Sequence, residues 1–166
     1  MRRSLIFPMK KQFKECKTFS EAFDEFVDKM QTEVEAKERE DFSARALELA
    51  KNPYKVGQLP ADTPGYATAA YRGTCGDEIR FHVSIQDAKL KEIVFEADGC
   101  ATSVIAASQV VLLMENKSVK DAETLTDHQI LEALGRFPQK SYHCVTLANT
   151  ALKMTIDDFK KRNSFS

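Results

Sequence analysis

Ile79-Arg80-Phe81-His82-Val83-Ser84-Ile85 alternates strictly between apolar and polar side chains. Such alternation is typical of a β-strand that places one face on a core. The next residues, Gln86-Asp87-Ala88-Lys89, predict a hairpin turn, and Leu90 to Ala97 predicts a second strand. A further strand-like segment, Tyr66 to Tyr71, lies upstream. The sequence therefore predicts a small three-stranded antiparallel sheet, with His82 on its solvent side.

The segments that flank this sheet have helical character. Ala101 to Met114 is small and apolar almost all round, which predicts a helix buried against the sheet. A last helix begins near Ser141, and its apolar stripe consists of Ala148, Ala151, Leu152, Thr155, Ile156 and Phe159. Shorter helices are predicted from about Phe42 to Lys51 (with Leu47 and Ala50 in its stripe), from Val119 to Glu123, and from Thr126 to about Leu134. Several helices packed on one small antiparallel sheet make an α+β fold.

The first part of the chain is predicted to form an extension, residues 1–40, ahead of a main domain at residues 41–166. Thr18-Phe19-Ser20-Glu21 has the capping-box pattern of a helix start. Apolar residues then recur at helical spacing: Phe19, Phe23, Phe26, Val27, Met30 and Val34. This amphipathic helix either packs on its own domain or docks a partner protein or a second copy of the chain. Residues 1–17, which hold six basic residues and one acid, are interpreted as a solvated arm rather than a targeting or phosphate-binding tail.

Composition narrows the class of protein. The formal net charge of -1 gives no general attraction to nucleic acid or to membranes. No apolar stretch approaches the roughly 20 residues that span a bilayer, and no signal-peptide pattern is visible. Four cysteines in 166 residues are too sparse for a secreted disulfide framework. We therefore expect a reducing, cytoplasmic setting.

Three cysteines fall at predicted junctions of the fold. Cys75 precedes a strand, whereas Cys100 and Cys144 each open a helix, where free backbone N–H groups favour a thiolate. Asp77 follows Cys75 by two positions, and His143 directly precedes Cys144. Three thiolates with a carboxylate or an imidazole make a site for a soft metal whose fourth bond is weaker. Zinc and iron–sulfur clusters both accept such ligands, so these residues alone leave the metal open.

Two other residues have a less specific interpretation. Cys16 lies in the extension and is interpreted as a bystander thiol. Asp98 lies two positions before Cys100 and is interpreted as the cap of the helix that follows.

Four motifs follow one another between about residue 43 and residue 160. They are Asn52-Pro53-x-x-x-Gly57, Cys75-Gly76-Asp77, Gly99-Cys100-Ala101 with Ala107-Ser108, and His143-Cys144-x-x-Leu147-Ala148 with Ala151-Leu152. In this order they resemble the IscU/NifU N-terminal family of iron–sulfur cluster assembly scaffold proteins. The resemblance implies an α+β fold with a cluster site at one tip. There Cys75, Cys100 and Cys144 would bind iron, with Asp77 and His143 as further ligands or as residues that control exchange.

The leading hypothesis is accordingly a scaffold and not an enzyme. Such a protein builds a labile 2Fe-2S cluster on three cysteines and transfers it to apo-proteins, with zinc as the metal of a cluster-free form. The resemblance also implies a pyridoxal-phosphate cysteine desulfurase as the sulfur donor. In this family the chaperone-recognition segment reads Leu-Pro-Pro-Val-Lys. Here the residues before His143 are Phe137-Pro138-Gln139-Lys140-Ser141-Tyr142, one residue longer, which argues against recognition by a dedicated heat-shock chaperone.

Two alternatives remain. The first is a zinc-dependent sulfurtransferase similar to the SufU branch, which would accept persulfide sulfur at Cys144 or Cys100. The Phe137-Pro138 pair is similar to that branch, whereas the presence of His143 and the lack of a long insertion between Cys100 and Cys144 are not. The second is a structural zinc module that acts only through its N-terminal helix.

Overall fold

The structure is a computed structural model that describes residues 19–164, apart from the side chains of Phe19 and Ala22. The basic segment at residues 1–17, Cys16, and Thr18 of the capping-box pattern lie outside the described residues. The chain divides into two compact units, Met1–Lys37 and Glu38–Ser166. A first helix, α1, spans Phe19–Asp41, so the predicted N-terminal helix is confirmed. The predicted domain boundary between residues 40 and 41 stays a prediction.

The predicted sheet is confirmed. Its strands are β1 (Tyr66–Arg72), β2 (Glu78–Gln86) and β3 (Lys89–Asp98), antiparallel and in the order β1-β2-β3. The hairpin between β2 and β3 turns on Asp87 and Ala88, whose φ angles are 52° and 56°. Positive φ at both central residues is typical of the type I′ turn, which matches the twist of a two-residue hairpin.

In the described part of the chain, one helix lies between α1 and the sheet, and four follow the sheet. They are α2 (Ala44–Lys51), then α3 (Ala101–Met114), α4 (Val119–Thr124), α5 (Asp127–Leu134) and α6 (Tyr142–Ser164), with a 3-10 turn at Gln139–Ser141 before α6. The core face of the sheet includes Ile79, Phe81 and Phe95, which are all fully buried. Helix α3 is buried almost all round, as its composition predicted. Among the described residues, no helix is both long and apolar enough to cross a membrane.

The prediction of a solvent-facing His82 is wrong. Its side chain is buried, and both ring nitrogens have partners: Nδ1 lies 2.9 Å from the hydroxyl of Tyr66, and Nε2 lies 2.9 Å from Oε2 of Glu96. These neighbours come from the strands on either side, because β2 is the central strand. A polar side chain with all its hydrogen-bonding groups paired can be buried at little cost, so the alternation marked the two faces of the strand but not their exposure.

The predicted stripe of α2 is also wrong, by one position. Ala46 and Leu49 are the buried residues, not Leu47 and Ala50. Ser43 sets this phase, because its hydroxyl accepts the N–H of Ala46 while its own N–H donates to the carbonyl of Arg136 at 2.8 Å. These bonds fix where the helix begins and which side it turns to the core.

Candidate metal centre

The predicted site residues converge at one end of the sheet because of the strand register. Arg72 at the end of β1 pairs with Glu78 at the start of β2, and Glu78 pairs with Asp98 at the end of β3. The loop at residues 73–77 and the residues that follow β3 therefore share one edge. The first turns of α3 and α6 reach the same edge, since Cys100 and Cys144 approach each other there.

Arg72 holds the loop at residues 73–77 in place. Its guanidinium donates to the carbonyl of Gly76 at 2.6 Å and to the carboxylate of Glu78 at 3.2 Å, and it lies 3.7 Å from the carboxylate of Asp98. Gly76 has a φ of 91°, a conformation that L side chains rarely adopt. The loop thus turns sharply between Cys75 and Asp77, and of these two residues only Asp77 lies in one group with Cys100 and Cys144.

Three predicted ligands lie together. One ligand atom each from Asp77, Cys100 and Cys144 lies within 4.8 Å of the other two. The Sγ atoms of Cys100 and Cys144 are 3.9 Å apart, and Sγ of Cys100 is 3.0 Å from Oδ2 of Asp77. Two sulfurs on one tetrahedral metal with bonds near 2.3 Å are separated by about 3.8 Å. The donor set therefore fits a thiophilic metal, with the carboxylate as a harder third ligand.

Asp77 lies against the first turn of α3. Its Oδ2 accepts the hydroxyl of Ser103 at 2.6 Å and the backbone N–H of Cys100 at 3.2 Å. The Ser103 hydroxyl and then the Cys100 thiol and N–H hold the pKa of the Asp77 carboxyl below its usual value. Asp98 was predicted to cap this helix, and that prediction is wrong. The Asp98 side chain is 86 % exposed and pairs with Arg72, since the end of β3 carries it away from the helix.

Cys144 is fully buried in the first turn of α6. Burial raises the pKa of its thiol, because a thiolate loses hydration there. The expectation that a helix start favours the thiolate is thus wrong for Cys144, whose pKa is raised chiefly by burial. Oγ1 of Thr102 lies 3.2 Å from this sulfur and 2.9 Å from Sγ of Cys100, so one hydroxyl spans both thiols.

His143 contributes a ring nitrogen to the same edge. Its Nδ1 lies 2.9 Å from the carbonyl oxygen of Lys140, which only accepts, so Nδ1 carries the proton of the neutral ring. Nε2 is then left with its lone pair, 3.5 Å from Sγ of Cys144. A carbonyl that fixes the tautomer in this way is a common partner of metal-binding histidines.

Cys75 lies apart from this group. It is exposed, and it lines a cavity of about 190 Å³ together with His143, Tyr71 and Leu147. The structure thus brings Asp77, Cys100 and Cys144 together, with His143 in contact with Cys144, whereas Cys75 lies outside this group and shares only the cavity lining with His143. Sequence reasoning missed Thr102, Ser103 and Arg72. The sequence does indicate Thr102 and Ser103, because residues two and three positions after the N-cap of a helix lie close to the N-cap side chain, which here is Cys100.

Comparison with known proteins supports one family. The model of the NifU-like N terminal domain matches residues 41–166. The iron-sulfur cluster assembly scaffold protein IscU 1 of Archaeoglobus fulgidus is 29% identical over 122 residues, which cover 74% of this chain and 78% of that protein. The iron-sulfur cluster assembly scaffold protein IscU of Azotobacter vinelandii is 28% identical over 123 residues, which cover 73% of this chain and 95% of that protein.

Solved structures show the same fold. The N-terminal NifU-like protein of Brucella abortus is 18% identical, with a TM-score of 0.56 over 72% of this chain and 94% of that one. A scaffold protein for the SUF system from Fervidobacterium islandicum is 17% identical, with a TM-score of 0.53 over 69% and 96%. The α+β fold predicted from the sequence is confirmed. With a family model that matches most of its length, this chain belongs to the NifU-like N-terminal domain family.

Proposed function

We propose that this chain is an iron–sulfur cluster assembly scaffold and not an enzyme, and that it carries a 2Fe-2S cluster as cargo between a sulfur donor and apo-proteins. The observation that supports this most strongly is the group formed by Asp77, Cys100 and Cys144 at the end of the sheet where β1 is joined to β2. The relatives at 28–29% identity are named as assembly scaffold proteins, which supports the same function.

The ligand set suits a cargo that must leave. Thiolates bind iron and zinc strongly, whereas a carboxylate is a harder and weaker ligand for such a centre. We assign Cys75, Cys100 and Cys144 as the thiolates and Asp77 as the exchangeable ligand. Cys75 is exposed on a loop that holds Gly73 and Gly76, and in this proposal a change in the conformation of that loop brings it to a centre held by the other residues.

His143 is assigned to the exchange step. Its Nε2 lone pair lies beside Cys144 and borders the cavity that Cys75 lines. It can therefore occupy a metal position that Asp77 or Cys75 vacates. Because the ring is exposed, an incoming acceptor protein can reach it from solvent.

Zinc gives the second candidate function. The 3.9 Å separation of the Cys100 and Cys144 sulfurs matches a single tetrahedral metal, and a solved structure with the same fold is described as a scaffold for the SUF system. In a SufU-like sulfurtransferase, zinc would hold the thiolates until persulfide sulfur arrived from a cysteine desulfurase. Zinc also suits the cluster-free form of a scaffold.

The partners follow from the cargo. A cysteine desulfurase would supply sulfur, and apo iron–sulfur proteins would accept the cluster, in the reducing cytoplasm. Recognition of residues 137–140 by a dedicated chaperone is not part of the proposal. Phe137 is buried, with its ring edge-on to Phe42 at 5.6 Å, so this side chain is not displayed to a binding partner.

Anaerobic purification followed by measurement of iron, acid-labile sulfide and zinc tests the proposal. We expect iron and sulfide in equal amounts, and charge-transfer absorption after reconstitution with ferrous iron and sulfide. Serine at Cys75, Cys100 or Cys144 should weaken that absorption greatly, whereas Cys16→Ser serves as a matched control that should not. Normal clusters in all three single variants would show that the site is wrong. A protein that is purified with zinc and assembles no cluster on reconstitution would favour the sulfurtransferase.

A further inference from the structure

Ser103 is a buried polar residue that neither the metal nor the cargo needs as a ligand. It lies in the first turn of α3 with no exposed surface. Its hydroxyl donates to Oδ2 of Asp77 at 2.6 Å. The same oxygen lies farther from the sulfur of Cys100, at 3.6 Å, and is close enough to the Cys144 thiol to lower the pKa of that group against the larger effect of burial. A buried hydroxyl requires an acceptor, so the fold of α3 places one donor permanently beside the Asp77 carboxylate.

Ser103 is one of three hydrogen-bond donors to Asp77, and two of the three keep their protons when the metal binds. Oδ2 of Asp77 accepts from the Ser103 hydroxyl, from the Cys100 N–H and from the Cys100 thiol. The thiol proton is lost when Cys100 becomes a thiolate ligand. The hydroxyl and the N–H remain, and both are fixed to the start of α3. The first turn of this helix thus offers the carboxylate a place to stay when it is not bound to metal.

We infer that Ser103 is a positioning residue that stabilises Asp77 in its metal-free position and thereby speeds release of the cargo. The inference rests on the proposed function, in which Asp77 is the exchangeable ligand. Ser103 acts in two ways. It lowers the free energy of the released carboxylate, and its hydrogen bond withdraws charge from the oxygen, which makes Asp77 a weaker ligand while it is bound.

The test uses Ser103→Ala in the full chain, with Zn²⁺ as the first probe. Hydrogen bonds to charged groups have net strengths that correspond to roughly tenfold or more in an equilibrium constant. We expect Zn²⁺, titrated against a chromophoric chelator, to bind about tenfold more tightly to this variant. Transfer of a reconstituted cluster to an apo-ferredoxin should slow by a similar factor. Ser103→Thr, which keeps the hydroxyl, should stay close to the original protein in both measurements.

Ser108→Ala is the matched control. Ser108 lies on the same helix and is equally buried, but its hydroxyl accepts the N–H of Tyr54 at 3.1 Å and does not contact Asp77. This variant should change thermal stability as Ser103→Ala does, without tightening Zn²⁺. A similar gain in Zn²⁺ affinity in both variants would mean that the effect comes from the helix and not from Asp77, and would overturn the inference.

The Asp77→Ala background supplies a second measurement. If Ser103 acts through Asp77, Ser103→Ala will not change the Zn²⁺ affinity of a chain that already carries Asp77→Ala. An equal effect in both backgrounds, unchanged affinity in the single variant, or weaker Zn²⁺ binding by Ser103→Ala would each refute the role. These outcomes are separate from failure of the proposed function, which would appear as an original protein that binds Zn²⁺ but assembles no cluster.

Discussion

The side chain of Asp77 occupies the space that a Cβ of residue 99 would need. A methyl group at Gly99 would overlap Cγ and Oδ2 of Asp77. The carboxylate reaches the start of α3 only because the residue before Cys100 is glycine. The glycine of the Gly99-Cys100 motif is therefore explained by the approach of a ligand side chain rather than by a positive φ.

Gly99→Ala should displace the carboxylate from its position beside Cys100. We expect the Zn²⁺ affinity to fall, because the displaced carboxylate can no longer serve as the third ligand of a metal held by Cys100 and Cys144. Residue 99 is exposed, so the far-ultraviolet circular dichroism should not change. In a chain that already carries Asp77→Ala, the added methyl group should have little further effect. A full loss of affinity there as well would mean that the methyl group acts on Cys100 instead.

Asp77→Ala should trap the cargo. The carboxylate is the weakest proposed ligand, and its departure opens the site for exchange. Without it, we expect a reconstituted cluster that persists longer and moves more slowly to an apo-ferredoxin. The decay of charge-transfer absorption and the appearance of the acceptor's spectrum measure the two effects. Faster transfer from Asp77→Ala would reverse the proposed role.

Metal binding should depend on pH through Cys144. Burial raises the pKa of this thiol, so it is protonated at neutral pH and must lose its proton when a metal binds. The apparent Zn²⁺ affinity should therefore rise with pH until the solution reaches the raised pKa. For the same reason the metal-free fold is favoured below the usual thiol pKa and loses that contribution as the pH rises through the folded value. Zn²⁺ titrations from pH 6 to pH 9 check the first effect, and Cys144→Ser should flatten the curve.

The sequence predicts those features that depend on local pattern. Strict alternation located β2, and α5 lies within the predicted range from Thr126 to about Leu134, where Thr126 and Gln129 form a capping box. The site was recognised from short motifs around its cysteines, but its hydrogen bonds were not. Asp77 rather than Asp98 meets the start of α3 because strand register outweighs closeness in sequence. His82 is buried and the Cys144 pKa is raised for a similar reason, since both depend on neighbours from other elements.

The exposed face of α1 is a feature that the family match does not cover, because that match begins at residue 41. Phe26, Met30 and Val34 are 58%, 49% and 54% exposed. Burial of each such side chain is worth roughly 1.5–3 kcal/mol. We propose that this part of the chain is an extension whose apolar face docks a partner protein or a second copy of the chain.

Deletion of residues 1–37 should leave cluster binding intact but change the oligomeric mass or the affinity for a cysteine desulfurase. The cut is placed after Lys37 because Arg136 donates to the carbonyls of Arg39 and Glu40, and a longer deletion would remove these acceptors from the main unit. Light scattering and a desulfurase binding assay measure the effects. Phe26→Ser with Met30→Ser should reproduce them, whereas Lys29→Ser on the same helix should not. If the truncated protein lost its cluster and kept its mass and its partner affinity, the extension would belong to the metal site, with Cys16 as the first residue to test as a ligand.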